Sequence, residues 1–280
     1  MSDLVFDIGM HNGDDTSYYL ARGYRVVAVD ANPIMCEEAR KRFASEICRK
    51  QLSIRNVGIA ETQGEMEFWV SDDMEWSSFD SAMATREGKK ATCIKVETIP
   101  FRRLLEEEGI PFFLKIDIEG SDSVCIKDLA ATRSCPEYLS FECSYRDETD
   151  IDLLRGLGYH SFKCVRQNDF REITPDNVVF QEEFRRLMKD NLGRLPSTYG
   201  VSKLLGTAFY RAHYRRRSFN GHRPRRWTSG PLGTELPGRW LTPEEILSVW
   251  HQLVAYDLRL NANGLGEWFD IHAKLGTVGR

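Results

Sequence analysis

Leu4-Val5-Phe6-Asp7-Ile8-Gly9-Met10-His11-Asn12-Gly13-Asp14-Asp15 passes from an apolar strand through two glycines into a helix. Asp14 and Asp15 cap that helix, which is expected to run to about Ala21. Gly9 permits a tight turn and Gly13 a close backbone approach. A helix N-terminus presents N–H groups to an anion. The glycine spacing is D-x-G-x-x-x-G, not the G-x-G-x-x-G of a dinucleotide turn. Asp7 inside the turn would repel a pyrophosphate and attract a cation.

Working outward, Arg25 to Val29 reads as the next strand, and it ends on Asp30, 17 residues beyond Gly13. A carboxylate there accepts both hydroxyls of a ribose, which fits NAD as well as any other nucleoside. The ligand that also matches Asp7 and the helix end is S-adenosylmethionine. Its methionine part carries an ammonium and a sulfonium beside a carboxylate.

Strand and helix patterns then alternate to about Phe180. Asn32 reads as an N-cap followed by Pro33 at the first helical position. Met35, Ala39, Phe43 and Ile47 form one apolar face of the helix that follows. Ser53 to Ile59 reads as a third strand. Met66, Phe68 and Val70, and the segment Thr92 to Val96, alternate with polar residues and predict an antiparallel insertion with one wet face. Phe112 to Ile116, Tyr138 to Glu142, His160 to Val165 and Val178 to Phe180 read as later strands. Helices are expected near Asp122 to Ala131 and Ile151 to Leu157. This order predicts an α/β fold, a Rossmann-like, doubly wound and mostly parallel sheet. After about Asn191 the chain turns rich in Gly, Pro, Arg and aromatic residues, until Thr242-Pro243-Glu244-Glu245 opens a helix with a capping box. We therefore expect a cofactor-binding domain over residues 1–190 and a C-terminal appendage over 191–280 that covers the core and binds the acceptor.

Apolar residues at 41% and charged residues at 29% are ordinary for a globular chain of 280 residues. The formal net charge of -4 argues against a general polyanion binder. Cys36, Cys48, Cys93, Cys125, Cys135, Cys143 and Cys164 are scattered with no C-x-x-C pair, as expected of reduced thiols in a cytoplasmic protein. There is no signal-like segment and no run of eighteen apolar residues, so no membrane span is expected.

Phe112-Phe113-Leu114-Lys115-Ile116-Asp117-Ile118-Glu119-Gly120-Ser121, together with the Asp7 turn, Asp30-Ala31-Asn32-Pro33 and Asn56-Val57-Gly58-Ile59, resembles the FkbM family of methyltransferases. The resemblance covers about Val5 to Val165. It implies S-adenosylmethionine as cofactor and methyl transfer mostly to hydroxyl oxygens, often on sugars or natural products. It implies that Asp7, Gly9 and Gly13 hold the methionine end, with His11 in the same turn. It further implies that Asp30 holds the ribose, that Ala31, Asn32 and Ile59 lie beside the adenosine, and that Ser78 approaches from the insertion. The expected acceptor is a saccharide, glycan intermediate or related metabolite. RNA or a protein side chain is the alternative acceptor, and a NAD-binding oxidoreductase or non-catalytic nucleotide module is the alternative class.

A hydroxyl is a weak nucleophile until its proton is removed. Asp117 and Glu119 follow a central strand two residues apart, and Glu142 ends the next strand, so all three are catalytic candidates. Three carboxylates from two strand ends also suit Mg²⁺; the rival roles are general base and partner of the cofactor ammonium. In Trp268-Phe269-Asp270-Ile271-His272-Ala273, Asp270 is placed to orient His272 as a base if the tail returns to the site, the alternative being a solvent-facing edge strand. Between Arg211 and Arg226 lie seven arginines, two histidines and no acid, a stretch suited to an anionic part of an acceptor or to a solvated loop.

Overall fold

The computed structural model describes residues 3–142, 148–167, 170–178, 229–259 and 268–276. The arginine-rich residues 211–226, Cys143 and Phe180 lie outside them. The first half of the chain forms β1 (Leu4–Ile8), α1 (Asp14–Ala21), β2 (Arg25–Asp30), α2 (Pro33–Arg42), α3 (Ala44–Cys48) and β3 (Leu52–Asn56). An insertion follows with β4 (Gly58–Ile59), β5 (Gly64–Ser71), α4 (Ser81–Ala84) and β6 (Ala91–Ile99). The core then continues through α5 (Phe101–Glu108), β7 (Phe113–Ile116), α6 (Asp122–Thr132), β8 (Tyr138–Glu142), α7 (Glu148–Gly156), β9 (Tyr159–Arg166) and β10 (Glu172–Ile173). The C-terminal part adds α8 (Pro243–Arg259) and β11 (Phe269–Leu275).

The main sheet has the order β10-β9-β11-β8-β7-β1-β2-β3. β8, β7, β1, β2 and β3 pair in parallel. β11 runs antiparallel to both neighbours, β8 and β9. Alternation along the strands sends Phe6, Ile8, Val27, Val29, Leu114 and Ile116 to one apolar layer, under α5, α6, α7 and α8. It sends Val5, Val26, Ala28 and Phe113 to the other, under α1, α2 and the segment around Leu232 and Leu236. Each of these side chains except Ala28 contributes about 1.5–3 kcal/mol on burial.

Several boundaries differ from the sequence expectation. The helix expected to reach Ile47 breaks at Phe43, whose φ of -111° and ψ of 26° leave the helical region. The single strand expected over Ser53 to Ile59 divides at Val57: β3 closes the main sheet, while β4 joins the insertion sheet β4-β6-β5. The strand expected at Val178 is not formed, since the Val178 N–H bonds back to the Thr174 carbonyl, and Glu172–Ile173 pairs with β9 instead. The antiparallel insertion stands as expected, with Met66 opposite Val96 and Phe68 opposite Ile94. The capping box also stands: the Glu245 N–H donates to Thr242 Oγ1 at 3.2 Å and the Thr242 N–H to Glu245 Oε2 at 2.9 Å.

The largest correction concerns the tail. The segment expected to cover the sheet is partly inside it, because β11 separates β8 from β9. Residue 190 is therefore not the edge of the folding unit. The segment after Ser229 docks on α1: Asp15 accepts the Ser229 and Gly230 N–H groups at 3.2 and 3.1 Å, and Tyr19 Oη donates to the Gly230 carbonyl. Among the described residues no helix is long and apolar enough to cross a membrane. The six described cysteines are free thiols.

Candidate active site

A cleft of about 440 Å³ opens at the carboxyl ends of β1, β2, β7 and β8. Open α/β sheets bind ligands at this end. Gly9, His11, Asp30, Ala31, Asn32, Ser78, Asp117, Glu119 and Glu142 all line it, so most of the sequence-derived candidates meet there. Asp7, Gly13, Ile59 and His272 are not among its lining residues.

The β1–α1 turn is built by contacts that only glycine allows. Gly9 has φ +81°, and a Cβ on it would fall 1.7 Å from the Asp117 carbonyl oxygen. Gly13 caps α1 at φ +76°, and a Cβ there would meet the Phe43 ring at 2.6 Å. The turn's donors are largely committed within the protein. Gly9 and Met10 N–H donate to the Val29 carbonyl, Gly13 N–H to the Met10 carbonyl, His11 N–H to Asp30 Oδ2, and Asp14 N–H to Asn12 Oδ1.

Asp7 is fully buried. Thr16 Oγ1 donates to it at 2.5 Å, and Lys115 Nζ lies 3.2 Å from its other oxygen. The positive charge that Asp7 meets is thus the protein's own ammonium. Lys115 in turn donates to the Gly9 carbonyl at 2.7 Å and lies 3.4 Å from Asp117 Oδ2. Burial alone would lower its pKa, but Asp7, Asp117 and Asp15 outweigh burial and hold the ammonium well above its ordinary value. Sequence reasoning passed over this lysine, although Lys115 and Asp117 alternate onto one face of the strand end.

Asp30 accepts the His11 and Asn32 N–H groups at 2.8 Å each, which fixes its carboxylate at the end of β2. Each oxygen keeps lone pairs for a ligand hydroxyl. Burial pushes its pKa up to about 6, against the lowering by those two N–H groups. Asn32 caps α2 through the Ile34 N–H at 3.0 Å. Met35, Phe68, Met74 and Phe79 supply apolar lining beside it. Ser78 Oγ donates to the Glu119 carbonyl at 3.1 Å and ties the insertion to the β7 end.

Asp117, Glu119 and Glu142 each offer an oxygen within 4.8 Å of the others. Glu119 sits at φ +45°, in the left-handed region. Burial raises the pKa of Glu119; Arg86 lowers it, and Asp117 and Asp122 raise it further. Burial followed by Glu119 and Asp117 raises Glu142 still more. Like charges confined this closely retain a proton or take a cation. The trio has the oxygen donors that Mg²⁺ prefers. Sequence reasoning also missed Arg86, Trp76, Gln167 and Trp268, which line the same cleft.

His272 does not meet Asp270. Gln167 Nε2 donates to Asp270 Oδ1 at 2.9 Å, and neither imidazole nitrogen of His272 has a hydrogen-bond partner. The ring is 1% exposed, with its Cβ against Gly233. Burial and then Lys163 push its pKa down to about 3. An orienting Asp270–His272 pair is therefore not formed.

The sheet, five parallel strands continued by a reversed strand, and the cleft at its carboxyl edge define a Rossmann-like α/β fold. The chain belongs to the FkbM methyltransferase family: residues 7–174 match the Methyltransferase FkbM domain. Among solved structures it is similar to the methyltransferase FkbM from Methylobacillus flagellatus KT, at 15% identity and a TM-score of 0.36 over 56% of this chain. The match spans 37% of that protein's length. It is also similar to precorrin-6y C5,15-methyltransferase from Geobacter metallireducens GS-15, at 13% identity and a TM-score of 0.34, over 61% of this chain and 71% of that one. The [4+2]-cyclase SpnF matches at 8% identity and a TM-score of 0.34, over 98% of this chain and 75% of that one. No curated protein matches the chain.

Proposed function

We propose that the cleft binds S-adenosylmethionine and directs its methyl group to a hydroxyl of a saccharide, glycan intermediate or related hydroxylated metabolite. The observation that carries this reading is the placement of Asp30 and of the Asp117–Glu119–Glu142 trio along one cleft. Asp30 suits the ribose hydroxyls, and Met35, Phe68 and Phe79 suit the adenine. The carboxylates suit the positively charged methionine end. When bound, the cofactor supplies an electrophilic methyl on a sulfonium. Glu142 would take the acceptor hydroxyl's proton as the methyl's bond to sulfur breaks and its bond to the hydroxyl oxygen forms. Burial raises the proton affinity of Glu142, so it serves as base only once rising pH has removed its own proton. If Mg²⁺ is used, the trio would hold it and it would acidify the hydroxyl.

The test is a transfer screen with methyl-labelled S-adenosylmethionine against nucleotide sugars, glycans and lipid-linked sugars. Label on a saccharide hydroxyl is expected. Label on RNA or protein alone would move the acceptor assignment there.

A further inference from the structure

Arg86, in the insertion, is one of the residues lining the cleft. Its guanidinium carbon lies 4.3 Å from the Trp76 ring centroid, and its Nη1 lies 3.2 Å from Glu119 Oε2. Nε and Nη2 are shielded from solvent and have no hydrogen-bond partner. These two groups form the side-on fork of a guanidinium, whose spacing matches the two oxygens of a carboxylate. A shielded charged donor left unpaired is costly, so the fork is built for a ligand atom pair. In the turn leading into α1 the N–H groups of Gly9, Met10, His11 and Gly13, and that of Asp14 at the helix's first position, are committed within the protein.

Resting on the S-adenosylmethionine reading, we infer that the Arg86 fork holds the carboxylate of the cofactor's methionine end, while Glu119 and Asp117 hold the adjacent ammonium. A zwitterion carries opposite charges a few bonds apart, and Arg86 and Glu119 present the complementary pair side by side. The Trp76 ring holds the guanidinium by a cation–π contact. The charge of the cleft selects this ligand over a free anion. Eight carboxylates, Asp14 among them, line the cleft against Lys115 and Arg86. An acceptor phosphate would enter that field at a cost, whereas this carboxylate arrives on a molecule of net positive charge.

Titration calorimetry on the full chain tests the inference with three probes: S-adenosylmethionine, decarboxylated S-adenosylmethionine and 5′-methylthioadenosine. Arg86→Lys and Arg86→Gln are expected to weaken the first at least about tenfold, since both lose the fork. The second and third are expected to change less than about twofold, which also shows that the variants are folded. Glu119→Gln is expected to weaken both ammonium-bearing probes alike. Unchanged S-adenosylmethionine affinity in both Arg86 variants, or equal weakening of all three probes, would overturn the assignment and leave the cofactor reading intact. If the wild-type chain binds none of the probes, the cofactor reading itself fails and this inference with it.

Discussion

Lys115 Nζ lies 3.2 Å from Asp7 Oδ1, and both side chains are buried. Their strands pair directly, Asp7 opposite Lys115, so the register of β1 against β7 forces the contact. A buried pair of this kind costs much desolvation, and breaking it is worse than lacking it. Lys115→Met should therefore destabilise the protein by about 3–5 kcal/mol, by stranding the Asp7 charge. Adding Asp7→Asn should recover part of that loss. Urea unfolding of the two single variants and the double variant measures the coupling. Strictly additive losses would show that the pair is not the unit described.

Gly9 and Gly13 serve the same turn but fail differently. Gly9→Ala drives a Cβ into the backbone carbonyl of Asp117, which cannot step aside without moving β7. A loss of more than about 3 kcal/mol is expected, together with loss of ligand binding. Gly13→Ala meets only the Phe43 ring. Phe43→Leu should rescue part of the Gly13→Ala loss and none of the Gly9→Ala loss, as read by thermal denaturation.

How far the site was legible follows from what kind of signal each part leaves. The Gly9 turn, Asp30 and the Asp117–Glu119 pair were readable because each sits at a strand end marked by a local pattern. Lys115 was not, because its partner Asp7 lies 108 residues away and only the β1–β7 register joins them. Arg86 and Trp76 were missed because they come from short irregular turns of the insertion, which carry no periodicity. The place of β11 was hidden for a different reason. Alternating apolar and polar residues look alike in an edge strand and in an interior strand whose polar face lies under another segment, and here that segment includes Gly233.

Asp30 should impose a pH dependence. Its folded pKa is raised from 3.8 to about 6, with burial as the largest cause. The native state thus holds this proton more tightly than the unfolded chain. The contribution to stability is fully present below about pH 4 and is lost as pH rises through about 6. Ligand binding runs the opposite way, because ribose hydroxyls donate to the ionised form. S-adenosylmethionine affinity should fall as pH drops through about 6, with that step absent in Asp30→Asn. Asp30→Ala should weaken binding by about 1–3 kcal/mol at pH 8. Calorimetry from pH 5 to 8 checks both, and identical pH profiles for wild type and Asp30→Asn would remove Asp30 from the site.

The carboxylate trio separates metal from general-base chemistry. Asp117→Asn and Glu119→Gln should each lower turnover at least about tenfold in folded protein. Because burial raises both Glu119 and Glu142, turnover should climb with pH as the trio gives up its proton. With a bound divalent ion the carboxylates would stay ionised and that climb would shift to lower pH. Activity lost in EDTA and restored by Mg²⁺ would assign the trio as ligands. Full activity after exhaustive chelation would assign the proton to Glu142 directly.

The C-terminal strand yields the last prediction. β11 supplies Asp270 opposite Glu142 and His272 opposite Ser140, and it is bonded on both edges. Truncation at residue 191, expected from sequence to leave a cofactor-binding core, removes this strand and exposes the facing edges of β8 and β9. Open sheet edges of this kind aggregate. The truncated chain should therefore be insoluble or unfolded, which circular dichroism and size-exclusion chromatography would show. His272 itself is held neutral, and both its ring nitrogens are buried without partners. Replacing such a group with an apolar one of similar size removes an unsatisfied polar burden. His272→Leu should leave stability within about 1 kcal/mol of wild type or raise it, with turnover and cofactor affinity little changed. A drop in turnover of more than about tenfold at unchanged cofactor affinity would instead restore His272 as an acid–base residue. The ring would then have to reach the reacting hydroxyl in a conformation other than the one seen here.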